Sequence, residues 1–241
     1  PVPDHTTPAY KALTQDQVND FRLRGYIFIG KLLDDELIEL LRGEYDRLFT
    51  EARQSGHYRN LAIGDTDDIE EKKNASAQML QIMQCCERSI HFRQLLYDGR
   101  ILDIAEDLLG PNIQLFHDQA LYKPARDGGS VFWHQDNAYW KCIPANLASC
   151  WLTLDDVNVE NGAMHLMPGS HLAPLGHNRS QSTSSLLDIR DQVNEDQAAV
   201  VDLPAGGALF DVKDQAVAAL NGVLSFELSD VWVSGLDTVY E

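Results

Sequence analysis

The feature that most constrains this chain is a change of hydrophobic period near residue 112. Upstream, apolar residues recur at helical spacing, as in Leu37, Leu40, Leu41, Tyr45 and Leu48. Downstream they alternate. Ile113, Leu115, His117, Gln119, Leu121 and Lys123 fall on one side, and Gln114, Phe116, Asp118, Ala120 and Tyr122 on the other. Successive side chains of a strand point to opposite faces, so this run carries polar groups on an otherwise apolar face. Short apolar runs follow at 131–136, 147–154, 163–167, 200–203 and 208–210, separated by turn signals such as Asn161-Gly162 and Pro168-Gly169. Helices first and many short strands afterwards predict an α+β chain with a mainly β core. Its N-terminal helices would pack on a jelly-roll, cupin-like barrel. One domain over 1–241 is expected: 1–112 mainly helical, 113–210 the core strands, and 211–241 a tail.

Local signals fill in the helical part. Thr14 and Gln17 form a capping-box pair ahead of a helix that stops at Gly25. A short strand is expected at Tyr26–Ile29, and Asp34 or Asp35 opens a second helix. The polar stretch 51–75 predicts a long loop, with helices over 77–97 and 100–109, the latter closed by Gly110-Pro111.

A net charge of −18 disfavours nucleic acid and anionic membranes as partners, since both need a basic patch. No stretch has the length of a transmembrane helix, and no charged-then-apolar leader opens the chain. The four cysteines, Cys85, Cys86, Cys142 and Cys150, lack C-x-x-C spacing. A reducing, cytoplasmic setting is expected.

The stretch with chemistry in it is Trp133-His134-Gln135-Asp136. Positions i and i+2 of a strand share a face, so an imidazole and a carboxylate converge at His134 and Asp136. That is two-thirds of the 2-His-1-carboxylate set that holds non-haem Fe(II). A hydrogen-bonded His/Asp pair on an ordinary strand gives the same tripeptide. Tyr139 and Trp140 would flank a substrate at such a site or simply pack beside the strand, and Lys123 could offer charge to a dicarboxylate or face solvent before the turn.

Several landmarks stand in a fixed order: Leu13-Thr14-x-x-Gln17, Gly25-Tyr26, Gln119 to Pro124, Trp133 to Asp136, Trp151, Glu160 to Ala163, and Pro168 to His171. From about residue 13 to about residue 210 this set resembles the phytanoyl-CoA dioxygenase family. These are Fe(II)- and 2-oxoglutarate-dependent oxygenases built on a double-stranded β-helix. The resemblance implies that His134 and Asp136 ligate iron, that Gln119 and Gln135 contact 2-oxoglutarate, and that Trp151 borders the same pocket. It implies Fe(II), 2-oxoglutarate and O2 as cofactor and cosubstrates. The reaction would be hydroxylation of a small organic substrate as 2-oxoglutarate is decarboxylated to succinate. Strand alternation alone points Gln135 away from its neighbours, so a local twist would be needed for it to reach the cosubstrate.

After Phe210 the chain departs from that pattern. The family's second histidine ligand and its cofactor-gripping arginine belong there, yet the last histidine is His177 and the last arginine Arg190. From Asp211 to Glu241 the one base is Lys213, and 211–222 reads as a short helix. Three expectations stand side by side: a tail foreign to the fold, a catalytically impaired member acting as a small-molecule binding module, or a third ligand drawn from Asp211, Asp214 or an unassigned histidine.

Overall fold

Thr14 caps the first helix as its spacing predicts. Its side chain accepts from the Gln17 amide, while the Gln17 side chain accepts from the Thr14 amide, so both halves of the capping box are made. The structure, a computed structural model, describes residues 10–63, 66–75, 78–123, 131–140, 147–179, 187–213, 215–219 and 224–233. Helix α1 (Gln15–Arg24) ends on Gly25, whose φ of 89° is left-handed and strained for any residue with a Cβ. Helix α2 (Asp35–Ser55) is capped by Asp34 and buries Ile38, Leu41, Tyr45, Leu48, Phe49 and Ala52 along one stripe.

Two sequence expectations fail in this half. The segment 51–75 is not a loop throughout: α2 runs to Ser55, and α3 (Ile69–Asn74) forms behind its Asp68 cap. The segment 77–97 is not one helix. It holds a strand at Leu80–Met83, a left-handed Gln84 at φ 58°, and only then α4 (Ile90–Leu95). A short apolar run fits either period, and here pairing with neighbouring strands decides. Helix α5 (Gly99–Leu109) closes the helical layer, and α6 (Asn137–Trp140) is a single turn.

The strands are β1 (Tyr26–Lys31), β2 (Arg59–Asn60), β3 (Leu80–Met83), β4 (Ile113–Leu115), β5 (Gln119–Tyr122), β6 (Val131–Gln135) and β7 (Leu147–Thr153). Then follow β8 (Met164–Leu166), β9 (Asn178–Arg179), β10 (Leu187–Asp188), β11 (Ala199–Val200), β12 (Gly207–Val212), β13 (Ala216–Ala219) and β14 (Leu224–Val233). The large sheet runs β1-β12-β7-β14-β5-β3-β2 with β4 also on β14, and the small sheet runs β11-β8-β13-β6. Every pairing is antiparallel. One face of the large sheet (Leu80, Ile82, Ala120, Cys150, Leu152, Ala208, Phe210) packs on helix residues such as Leu41, Tyr45, Phe92 and Ile104. The other face presents Tyr26, Trp151 and Leu209 to Leu166, Val201 and Val217, most of them from the small sheet. The fold is therefore α+β with a two-sheet jelly-roll core. The described strands leave it open rather than a closed barrel.

The tail is part of this core. Asp211 and Val212 finish β12, and Ala216–Ala219 form β13 instead of the expected helix. Alanine favours helices, but Ala216, Val217 and Ala218 are buried on both faces of a central strand, where small side chains fit and pairing overrides propensity.

The N-terminal arm is tied down by Asp107, whose carboxylate accepts from the backbone amides of Lys11, Ala12 and Leu13 at 2.7–2.8 Å. Hydrogen bonds to a charged group each contribute on the order of 1.5–3 kcal/mol. Asp107→Ala is expected to lower stability by about 2–3 kcal/mol and to speed amide exchange at 11–13. Unchanged exchange there would refute this role.

Candidate active site

His134 is built into the small sheet. It lies opposite Val217 of β13, which lies opposite Leu166 of β8. Leu166 and Val217 face the large sheet, so the imidazole projects into the space between the sheets. Its Nδ1 is 2.7 Å from the Phe132 carbonyl, to which it can only donate. Nε2 is left facing Asp136 Oδ1 at 3.1 Å. A bare ring nitrogen and a carboxylate oxygen repel at that distance, so a positive charge belongs here, either a proton on Nε2 or a metal ion. Burial works against the imidazolium, yet the hydrogen bond and charge of Asp136 outweigh it and raise the His134 pKa. Burial likewise opposes the Asp136 carboxylate, and the Lys213 ammonium and His134 hold it far below the usual carboxylate range.

Lys213 is the residue that sequence reasoning passed over. It is 2 % exposed, and its Nζ stands 2.9 Å from Asp136 Oδ2. Its backbone is fixed from both sides, with its amide donating to the Leu147 carbonyl and its carbonyl accepting from the Asn137 amide. The available signal was a lone lysine beyond an apolar strand in a tail with no other base.

Gln119 and Trp151 lie in one cross-strand row, both opposite position 227 of β14, on the face that meets the small sheet. Gln119 is buried and its side-chain oxygen accepts from Gln81. Lys123 continues the alternation of Gln119 and Leu121 and is 7 % exposed; burial alone brings its pKa down to about 8. Tyr139 stands edge-on to the His134 ring, with centroids 5.5 Å apart. The Trp140 side chain lies outside the described residues.

Gln135 is a correction. Its side chain points to the opposite face of β6, where it donates to the carbonyls of Ser170 and Ala173 and accepts from the Leu175 amide. No twist turns it inward, and these bonds fix the 170–175 loop to the back of the sheet. The candidate third ligands also have other occupations. Asp211 accepts from Ser149 Oγ, His171 Nε2 meets the Arg22 carbonyl, and His177 accepts from the Gln135 amide through Nε2. Asp214 lies outside the described residues.

Does the site fit iron? Neighbouring ligands of a six-coordinate ion with bonds of about 2.1 Å stand about 3 Å apart, and His134 Nε2 and Asp136 Oδ1 meet that spacing at 3.1 Å. In number the set falls short. Among the described residues no group of three His, Cys, Asp or Glu side chains could hold a metal. The ammonium of Lys213, which cannot ligate, occupies the other carboxylate oxygen of Asp136. As folded here, the donors do not make a facial triad.

Burial penalises the charged form of a lysine. The Lys123 penalty is complete below pH about 8 and is relieved as pH rises toward the ordinary lysine value. Lys123→Met should therefore stabilise the protein by about 2 kcal/mol at pH 7, with the gain fading toward pH 10 in thermal unfolding across pH. A pH-independent difference would contradict it.

Comparison with known proteins fixes the kinship. The family model for phytanoyl-CoA dioxygenase (PhyH) matches residues 21–211, well over half the chain. The chain belongs to the phytanoyl-CoA dioxygenase family. Among curated relatives, the ectoine dioxygenase of Bordetella parapertussis is 28% identical over 164 residues, 66% of this chain and 50% of that protein. The peroxisomal phytanoyl-CoA dioxygenase of Mus musculus is 28% identical over 170 residues, covering 68% and 49%. The probable alpha-ketoglutarate-dependent hypophosphite dioxygenase of Stutzerimonas stutzeri is 30% identical over 144 residues, covering 57% and 50%. The chain thus spans about half the length of the curated relatives it matches. Among solved structures, EctD from S. alaskensis with 2-oxoglutarate and 5-hydroxyectoine superposes with a TM-score of 0.74 at 17% identity, over 98% of this chain and 82% of that one. The non-heme alpha ketoglutarate dependent epimerase SnoN gives 0.69 at 22%, over 91% and 82%. At these identities the likeness establishes the PhyH-type fold and no more.

Proposed function

We propose that this chain is the jelly-roll oxygenase domain of a non-haem Fe(II)/2-oxoglutarate-dependent dioxygenase that hydroxylates a small organic substrate. The observation that carries the reading is the convergence of His134 Nε2 and Asp136 Oδ1, 3.1 Å apart, on the face between the two sheets. Family membership supports it, as do relatives named as dioxygenases. In this reading Lys123 and Gln119 bind the cosubstrate, Trp151 borders it, and Tyr139 limits how a substrate approaches His134. Trp133 and the Gln135 bonds hold β6 from behind. Lys213 would release Asp136 when a divalent cation binds. No helix among the described residues is long and apolar enough to cross a membrane.

A second reading has its own support. The Lys213–Asp136 ion pair and the short donor set favour a family member that binds small acids without turnover. Succinate formation from 2-oxoglutarate by iron-supplemented protein separates the two. The oxygenase reading expects succinate that is lost in Asp136→Ala. Its absence in every substrate screened, uncoupled turnover included, leaves the binding module.

A further inference from the structure

A cavity of about 630 Å³ lies at the β2–β3 edge of the large sheet, within the range that takes an organic molecule. Its lining includes Lys72, Arg59 and Arg88, with Tyr58 and Met83 as apolar wall. In a chain of net charge −18 this gathering of cations runs against the general balance. Asp67 is the one carboxylate among the described lining residues.

Lys72 is the centre of the cluster. It is 6 % exposed, yet its ammonium makes one long bond, 3.4 Å to the Gly56 carbonyl, and lies 5.5 Å from the Tyr58 ring centroid. Among the described residues no carboxylate comes within ion-pair reach of it or of the Arg88 guanidinium. An ammonium that lines a cavity and makes one long bond keeps donors for an anion. A hydrogen-bonded row leads from the cavity lining toward the interior. Arg59 Nη1 donates to Gln81 Oε1 at 3.3 Å, and Gln81 Nε2 donates to Gln119. That polar row crosses β2, β3 and β5 toward Trp151, on the face that meets the small sheet.

We propose that this cavity binds the anionic head of an organic acid, a carboxylate or phosphate monoester, on Lys72 and Arg88, with its apolar body against Tyr58 and Met83. As a statement of substrate class it rests on the oxygenase reading; as a binding site it does not. The test is calorimetric titration of the full chain, without added metal and at low salt, with octanoate, octyl phosphate, octanamide and inorganic phosphate. At least one of the two organic anions should bind about tenfold or more tighter than neutral octanamide, the worth of one charge-assisted contact. Lys72→Met should lose about tenfold in affinity. Arg88→Gln, at an exposed position that carries no packing, should also weaken binding and serves if Lys72→Met misfolds. Equal binding of octanoate and octanamide would overturn the proposal, as would wild-type affinity in the variants or no binding of either organic anion at millimolar concentration. Inorganic phosphate binding as tightly as octyl phosphate would also overturn it, marking an ion site only. None of these outcomes bears on succinate formation, so the two readings fail separately.

Discussion

Lys213→Met is expected to destabilise the protein by about 3 kcal/mol, because removing one partner of a buried ion pair strands the other. In a chain of this length that corresponds to a fall in Tm on the order of 10 °C. The cause is specific. Asp136 is held between Lys213 Nζ at 2.9 Å and His134 Nε2 at 3.1 Å, and loss of the ammonium leaves a carboxylate 18 % exposed with one cationic partner. Two further results should accompany it. Asp136→Asn combined with Lys213→Met should recover most of the loss, since both charges are then gone. Millimolar Mn(II) should raise the Tm of Lys213→Met more than that of the wild type, because a divalent cation restores the missing charge and stabilises by mass action. Equal stability of wild type and Lys213→Met would show that the ion pair does not hold the site.

Removal of residues 211–241 should abolish cooperative folding. The deleted part includes β14, which joins β7 to β5 and also pairs with β4, and β13, which joins β6 to β8. Without β14 the large sheet separates into β1-β12-β7 and β5-β3-β2, each with a new unpaired edge. Without β13 the His134 strand loses its partner in the small sheet. The 1–210 chain should therefore be insoluble or lack a sigmoidal urea transition. A soluble 1–210 fragment unfolding cooperatively would mean that the tail is an addition to a fold already complete.

These two predictions also mark where the sequence was readable. The capping box at Thr14, the alternation at 113–123 and the short strands after it were legible because local period and turn residues agree with the final fold. Even so, the 113–123 run is broken at 116–118 into β4 and β5. His134 and Asp136 were legible because i, i+2 spacing fixes their face whatever the rest of the chain does. The same alternation put Gln135 on the back of β6, and the structure keeps it there with three hydrogen bonds. The failures have a common origin in long-range pairing. Leu80–Met83 and Ala216–Ala219 carry weak or helix-favouring local signals and become strands only through neighbours distant in sequence. The Lys213–Asp136 contact spans 77 residues, and no spacing rule predicts it.

The most direct test of the oxygenase reading is an anaerobic titration with Fe(II) and then 2-oxoglutarate, followed in the visible. Chelation of protein-bound iron by the 2-oxo acid gives a charge-transfer band. The account predicts that the band appears with wild-type protein and is lost in Asp136→Ala. No band in folded wild-type protein, at iron and 2-oxoglutarate concentrations in the millimolar range, would contradict it and leave Lys213 as the permanent cation of the site.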